Sequence, residues 1–203
     1  MILLEEKIKT ALAIMSEAQK VYDTWLGHEF TYVYKQKNGT FEELKFLPMK
    51  KNFLHLCGVI CKKGSKPIAA NEFYNLLSSN KIHPSMISFK TDGTTELKLS
   101  AFKHMSLVMT CKMRVIGERI TLLRADYDMS IRSSKVLLVL GLVYENGSYR
   151  PKSLLDGKTL KSIPAGSEVH CIYSRNLNTK KITLCDCRED FRTTKTYQDI
   201  FSQ

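Results

Sequence analysis

The sequence lacks a long apolar run. Its longest candidate, KVLLVLGLVY at 135–144, is bounded by Lys135 and Glu145. This run is too short to cross a membrane and predicts a buried strand instead. The N-terminal stretch MILLEEKIKTALAI mixes charges into its apolar positions from residue 5 onward, which does not fit a signal peptide. These features predict a cytoplasmic protein with no membrane partner.

The short motifs of several large enzyme classes are also missing. The chain has no GxxxxGK[ST], no GxSxG, no HExxH and no GxGxxG that opens a helix. Asp126 and Asp128 form a DxD beside Arg124 and Arg132, which favours a solvated turn or an ion pair over a metal site. We therefore expect any chemistry to proceed without a metal or another cofactor.

The six cysteines do not have zinc-ribbon spacing, which requires two pairs separated by two residues each. Cys57 and Cys61 form CxxxC, Cys185 and Cys187 form CxC, and two more stand alone. Buried free thiols are the favoured interpretation. A metal site that combines His170 with Cys185 and Cys187 is the alternative.

Arginine is absent from the first 113 residues, although the chain as a whole is basic. Lysine and arginine number 31 against 20 acidic residues, a formal charge of +11. Arginine binds phosphate through a planar fork and lysine through a point charge, so the composition favours a polyanionic partner, nucleic acid above membrane. The alternative is that the positive charge only keeps the protein soluble.

The hydrophobic pattern predicts an α+β fold in one domain, with N-terminal helices packed against a mainly antiparallel β-sheet. Apolar residues at helical spacing predict a helix over the first 26 residues, and further helices at about 71–80 and 95–105. Alternating residues predict a hairpin turning at Asn38-Gly39. Residues 53–60 read as a short buried segment closed by Gly58, and 106–203 as antiparallel strands followed by a tail.

One histidine, His55, lies in the apolar run NFLHLCG, and lysines crowd both ends of that run. RNA cleavage without a metal needs an acid, a base and cations that stabilise a pentacovalent phosphorane, and histidine suits the proton transfers. On a strand, His55 would share a face with Phe53. A hydrogen-bonded core histidine is the alternative. The neighbouring cations favour a functional role; they are Lys50, Lys51, Lys62, Lys63 and Lys66.

Two further clusters carry polar side chains of the same kinds. In ENGSYRPKSLLDG at 145–157, Arg150, Lys152 and Ser153 surround Pro151, which we expect to end the strand pairing and expose its neighbours. The alternative is an ordinary loop. In HCIYSRN, alternation puts His170 on one strand face and Tyr173 on the other.

The runs KKNFLHLCGV and GLVYENGSYRPKSLLDG resemble the phage-borne predicted RNases that are grouped with barnase, EndoU, colicin E5/D and RelE, in the fourth of these phage families. The resemblance spans roughly residues 20–160 and does not account for the tail from about 160 to 203. It implies helices packed on a four-stranded antiparallel sheet and metal-free RNA cleavage. Carried over by position, it implies sites at His55, Lys152 and Ser153, with Arg150 beside them.

The sequence thus predicts an RNase-like protein of phage or mobile-element origin, in the host cytoplasm if phage-encoded. His55 is the expected acid or base, Lys152 and Arg150 bind the scissile phosphate, Ser153 orients it, and His170 or Tyr173 is the second proton-transfer group. The expected nucleic-acid contacts are Lys50, Lys51, Lys62, Lys63, Arg132, Arg150 and Arg175. The main alternative is a non-catalytic inhibitor of a host defence complex, and a toxin paired with an antitoxin protein is a third interpretation.

Overall fold

The computed structural model describes residues 2–122 and 125–202. The helices have these bounds: α1 Ile2–Asp23, α2 Lys50–Cys57, α3 Ala70–Ser78, α4 Thr94–Phe102, α5 Glu189–Arg192 and α6 Lys195–Phe201. The strands have these bounds: β1 His28–Lys35, β2 Phe41–Phe46, β3 Val59–Lys63, β4 Lys66–Pro67, β5 Ile87–Phe89, β6 Met113–Ile116, β7 Ile120–Leu122, β8 Ala125–Tyr127, β9 Met129–Ser133, β10 Leu138–Glu145, β11 Ser148–Asp156, β12 Ser167–Asn176 and β13 Ile182–Cys187.

Seven strands close into a barrel. They follow the order β1-β2-β11-β10-β9-β6-β12, β12 pairs back onto β1, and β13 extends the sheet beyond β12. Every pairing is antiparallel except that between β2 and β11, which is parallel and rests on one residue pair, Phe46 with Tyr149. The α+β class is therefore confirmed, but the expected mainly antiparallel sheet is a closed barrel of mixed pairing.

A helical lobe, which we define as residues 50–103, is inserted between β2 and β6. It contains α2, α3 and α4 together with the small sheet β4-β3-β5. The chain leaves β2 and passes directly into α2, which lies along β11. Helix α2 thus continues the barrel wall where β2 ends, beyond the single parallel bridge.

The core joins the barrel interior to the helices. Alternate side chains of β1 (Phe30, Tyr32, Tyr34) lie in one continuous buried cluster with the inner stripe of α1 and with Phe53 of α2. This alternation is what a strand with one buried face requires. A smaller cluster on the outside of the barrel places Val33 and Tyr173 under the C-terminal helices.

The strand geometry considered for Phe53 and His55 does not hold, because Lys50–Cys57 is helical. Asn52, Phe53, Leu56 and Cys57 are buried at three- and four-residue spacing. The Asn52 side-chain carboxamide oxygen accepts a hydrogen bond from the Met49 backbone N–H, 3.0 Å, at the helix start. A short apolar run fits a strand and a helix equally well by periodicity, so tertiary packing decides.

Two other expectations also differ from the structure, and the tail is now defined. Pro151 does not end the ladder; it lies within β11, opposite Leu142. The predicted strand at 119–127 contains an antiparallel pair, β7 with β8, and Leu123 and Arg124 lie outside the described residues. The tail forms β13 and two short helices, whose Phe191 is fully buried against the barrel.

No helix in the part of the chain that the structure describes is long and apolar enough to span a bilayer.

Candidate functional sites around His55 and His170

His55 lies on the exposed side of α2. The inward positions of this helix are occupied by Phe53, Leu56 and Cys57, which leaves the imidazole at the surface. Within the described residues the ring makes no hydrogen bond, ion pair or ring contact. The sequence left open whether His55 is a core residue, and its exposure shows that it is not.

The C-terminal end of α2 is held by α4. Gly58 ends the helix in the left-handed conformation, φ 67°, and its carbonyl accepts a hydrogen bond from Thr95 Oγ1 at 2.6 Å. Lys98 Nζ donates to the His55 carbonyl at 2.8 Å. A Cβ at Gly58 would lie 2.5 Å from Lys98 Cδ, so the absence of a side chain is what lets the lysine stem pass. Glycine therefore places a cation directly beneath the turn that carries His55.

The charges around His55 favour its neutral form. Partial burial lowers the pKa of the imidazole below its ordinary value, and the nearby Lys98 and Lys90 lower it further. Lys98 itself is only 8% exposed and forms no ion pair within the described residues. Burial, and then the charge of Lys90, lowers its pKa to about 8. A neutral imidazole beside an ammonium with a pKa near neutrality is a pattern common at catalytic sites.

The helical lobe carries most of the positive charge around His55. Residues 50–103 contain nine lysines and three acidic residues, whereas residues 1–49 contain six lysines and seven acidic residues. Lys62 and Lys63 are exposed at the end of β3 and form no ion pair in the described structure. This unpaired charge makes the lobe the more suitable of these two regions for a polyanion.

Two predicted nucleic-acid contacts on α2 already have protein partners. Lys50 Nζ donates to Asn75 Oδ1 at 3.2 Å and lies 5.6 Å from the centroid of the Tyr74 ring. Lys51 Nζ is 3.7 Å from Glu145 Oε2, an exposed pair. Such exposed contacts are weak, so both amines can exchange them for phosphate.

Lys152 and Ser153 lie on β11 with no contact to His55 within the described residues. A bulge leaves Lys152 without a partner between the pairs Gly141–Ser153 and Leu142–Pro151. The Lys152 amine donates to the Asp126 carbonyl at 3.1 Å and lies 5.7 Å from the centroid of the Tyr127 ring. Ser153 is buried, only 5% exposed. The structure does not join these two side chains to the His55 ring.

The predicted arginine contacts divide into two kinds. Arg150 is buried and donates to the Leu47 carbonyl at 3.1 Å, where it fixes the chain between β2 and α2. Arg132 is buried and donates to the carbonyls of Pro164 at 2.9 Å and Ala165 at 2.5 Å. Arg175 is exposed near the end of β12. Only Arg175 among the three has a side chain that is free for a polyanion.

A second candidate lies at His170, which is also a bulge residue. β1 pairs Val33 with Cys171 and Tyr34 with Val169, so His170 has no partner on β1. Bulges redirect side chains, and this one packs the imidazole against Phe41, with the ring centroids 5.3 Å apart. Nδ1 is buried without a hydrogen bond, 3.8 Å from Asp190 Oδ2. Burial and the charge of Arg188 lower the pKa of His170.

His170 lines a cleft of about 830 Å³, which we call the rim cleft. The strand registers place the end of β1, the start of β12 and the end of β6 at one rim of the barrel, and the cleft opens there. Its polar side chains are Lys35, Gln36, Lys37, Asn38, Glu42, Arg114, Glu118, Ser167, Glu168 and His170.

Tyr173 is not part of the rim cleft. It is buried in the outer cluster beneath the C-terminal helices, and its hydroxyl donates to Glu43 Oε1 at 3.1 Å. Burial raises the pKa of Tyr173 to about 12, so the hydroxyl keeps its proton at neutral pH. Its role as a proton-transfer group remains a prediction.

The possible metal site at His170, Cys185 and Cys187 has no counterpart in the structure. Residues 2–122 and 125–202 contain no group of three His, Cys, Asp or Glu side chains that could hold a metal ion. Cys187 lies opposite Cys171 across β12 and β13, and burial raises the pKa of both thiols. All six cysteines are free.

A comparison with protein families identifies the group to which the chain belongs. Residues 14–189 match the model of the phage-Barnase-EndoU-ColicinE5/D-RelE like nuclease 4 family. The chain belongs to this family. The match confirms the resemblance seen in the motifs around His55 and Lys152, and extends it at both ends. Searches of the curated proteins and of the solved structures found no match.

Sequence reasoning missed the lysine beneath His55. Lys98 precedes the buried Ala101 and Phe102 by three and four residues, so it occupies the inward stripe of α4. A lysine at an inward helical position is an available signal, because it must be either paired or functional. The rim cleft had no such signal, since it is assembled from three distant segments of the chain.

Proposed function

We propose that the chain is a metal-independent endoribonuclease with His55 as its general base. The observation that carries this proposal is an exposed imidazole, unpartnered within the described structure, on the residue whose carbonyl accepts a hydrogen bond from the buried ammonium of Lys98 at 2.8 Å. Membership of a nuclease family supports the reaction class. The unpaired lysines of the helical lobe support a polyanionic substrate.

The proposed reaction is an internal transesterification. Neutral His55 takes the proton of an RNA 2′-hydroxyl, the 2′-oxygen attacks the adjacent phosphorus, and the bond from phosphorus to the 5′-oxygen breaks. Lys98 and Lys90 stabilise the negative charge that develops on the phosphorane. The leaving 5′-oxygen takes up a proton, for which the Lys98 ammonium is a suitable donor at neutral pH. The products are a 2′,3′-cyclic phosphate and a 5′-hydroxyl.

The lowered pKa of His55 gives this site a defined pH dependence. A base must be unprotonated, so activity rises with pH through the pKa of His55 and is already high at neutral pH. At high pH the rate falls because Lys98, the proton donor, loses its ammonium proton above about pH 8. The expected profile is a bell with its maximum between these two values.

The test is cleavage of end-labelled RNA by the purified protein in EDTA, with His55→Ala, Lys152→Met and the unsubstituted chain side by side. We expect His55→Ala to lower the rate by about 100-fold to 10,000-fold, which is the usual contribution of a general base. Lys152→Met should have a smaller effect, because its amine is directed to the Asp126 carbonyl.

Two results would contradict the proposal. One is RNA cleavage in EDTA that survives His55→Ala with the fold intact. The other is salt-sensitive RNA binding without cleavage under any condition, which would favour the binding protein or defence inhibitor instead. A 2′-deoxy substitution at the cleaved nucleotide serves as the substrate control, since it removes the attacking hydroxyl.

A further inference from the structure

The rim cleft is separated from the His55 surface and needs its own explanation. It is formed by the loop between β1 and β2, the end of β6 and the segment before β12, none of which belongs to the helical lobe. Its volume of about 830 Å³ is within the range of small-molecule sites. No described contact links it to His55.

Two cations at the cleft are available to a ligand. Lys37 forms no ion pair or hydrogen bond through its side chain in the described residues, and Lys35 only lies 5.9 Å from the centroid of the Phe41 ring. By contrast, Arg114 holds Glu168 at 2.9 Å and the Gly166 carbonyl at 3.0 Å, so it shapes the wall of the cleft. The two lysine amines are thus free to bind an anion, whereas the Arg114 side chain is held in the wall of the cleft.

A buried imidazole adds the third element of this site. His170 is 7% exposed, and its Nδ1 lies inside the protein facing Asp190. Its Nε2 makes no hydrogen bond with the described residues. Since the ring lines the cleft, Nε2 is the nitrogen available to a ligand. Nδ1 is a buried polar atom without a hydrogen bond, which is unusual because such atoms are normally satisfied.

The remaining polar lining suits the edge of a nucleobase. Gln36 donates to Glu42 Oε2 at 2.8 Å, and Tyr34 donates to the same oxygen at 2.9 Å, so the other Glu42 oxygen remains free to accept. Glu118 offers a further acceptor, and Asn38 offers its amide N–H donors, since Asn38 Oδ1 already accepts from the Thr40 backbone N–H at 3.0 Å and from Thr40 Oγ1 at 2.7 Å. The free lysine amines therefore match the phosphate of a nucleotide, and the neutral or acidic groups match the polar edge of its base.

We propose that the rim cleft binds a nucleotide, with Lys35, Lys37 and His170 Nε2 on its phosphate and the Glu42 carboxylate on its base. The nucleotide is either a free mononucleotide or one unit of an RNA chain. If the nucleotide is one unit of RNA, the cleft holds the substrate at a distance from His55. This second case rests on the proposed function.

The test is isothermal titration calorimetry with three probes: inorganic phosphate, a mixture of the four nucleoside 5′-monophosphates, and a 12-nucleotide single-stranded RNA. Each is titrated into the full chain, into the double variant Lys35→Ala/Lys37→Ala, into His170→Asn, and into Lys181→Ala as the matched control. Lys181 is exposed beyond the opposite end of β12 and makes no side-chain contact in the described structure. Thermal unfolding of each variant checks the fold.

We expect binding of a nucleoside monophosphate, or of the RNA alone if the cleft takes one unit of a chain, that weakens at least about tenfold in the double variant and is unchanged in Lys181→Ala. For the RNA, loss of two phosphate contacts should also lower the salt slope by about 2. If His170→Asn fails to fold, the double variant alone decides the matter, because both lysines are at the surface.

Two results would overturn the inference. One is that neither monophosphates nor RNA bind; the other is that binding is equal in the double variant and in Lys181→Ala. The outcome is independent of cleavage, because binding is measured directly. A protein that does not cut RNA but binds nucleotides through Lys35 and Lys37 keeps this inference and loses the proposed function.

Discussion

His55 and His170 are two imidazoles with different surroundings. The first lies on the exposed side of a helix, with a buried lysine beneath it and no acid in contact. The second lies on a bulged strand, buried beside Asp190, with its outer edge in a cleft. Burial lowers the pKa of both. The difference is in their neighbours: the charges that act on the pKa of His55 are the cations Lys98 and Lys90, whereas His170 lies between Arg188, which lowers its pKa, and Asp190, which raises it.

This difference suits His55 to catalysis and His170 to ligand binding. A neutral base surrounded by cations suits a reaction in which a phosphate gains charge. An imidazole between charges of both signs, at the wall of a cleft, suits the binding of a ligand with an anionic end and a polar end. The two roles that we propose for histidine in this chain therefore follow from the surrounding charges.

The sharpest test of this comparison is Lys98→Met, which keeps the stem beside Gly58 and removes the charge. Cleavage should fall by about 100-fold, because one preorganised stabilising group is lost. The rising limb of the pH profile should also move to higher pH, since loss of the Lys98 charge raises the pKa of His55. The pH-rate profile on RNA measures both effects. Lys103→Met, at the exposed end of the same helix, is the matched control.

Lys98 should support cleavage, but its buried positive charge should lower the free energy of unfolding. Because the folded pKa of Lys98 lies below that of the unfolded chain, the unfolded state binds more protons between about pH 8 and the ordinary lysine pKa of 10.5. The unsubstituted chain should therefore gain stability relative to Lys98→Met as pH rises through this range. A constant difference between the two would show that Lys98 is not held as a buried cation.

A medium effect is expected from Gly58→Ala, compared with Gly64→Ala. Both glycines have left-handed backbone, φ 67° and 63°, so each alanine costs about 1 kcal/mol or slightly more. Only at Gly58 does the new Cβ meet the Lys98 stem, since Gly64 has nothing within 4 Å. Urea unfolding should show Gly58→Ala to be less stable by at least about 1 kcal/mol more. Equal losses would remove the argument that Gly58 positions Lys98.

The smallest effect is expected at Tyr173, which lies on the same strand as His170. Tyr173→Phe removes a hydrogen bond to Glu43, so unfolding free energy should fall by about 1 kcal/mol with cleavage unchanged. Tyr144→Phe is the control, because Tyr144 is 58% exposed. A cleavage rate that falls strongly in Tyr173→Phe would move the reaction toward β12, and the two histidines would then exchange roles.

The periodic elements were predictable because their patterns are local. The apolar stripe of α1 and the alternation of β1 with its Asn38-Gly39 turn follow directly from residue spacing. The identity of α2 was not predictable in this way, because eight residues with an apolar centre satisfy both periods. Barrel closure was also hidden, since it depends on pairing between residues far apart in the sequence, as in His28 with Asn176.

The candidate site was half visible in the sequence. His55 was identifiable from its motif and its flanking lysines, and the family match confirms the resemblance that the motif indicated. Lys98 was hidden because it joins His55 only through the packing of α4 on α2. Lys152 and His170 were named for their residue types, but both lie at bulges, and a bulge changes the direction that simple alternation assigns.

The single parallel bridge between β2 and β11 has a consequence for how this protein can be followed in solution. One residue pair and the Leu47 N–H to Tyr149 carbonyl bond close the seam, and α2 covers the wall beyond it. Because α2 follows the seam directly and packs on β11, we expect opening of the seam to be coupled to movement of α2 and to become slower when a ligand binds α2. Deuterium uptake at the Leu47 amide should therefore slow when a ligand occupies the surface around His55.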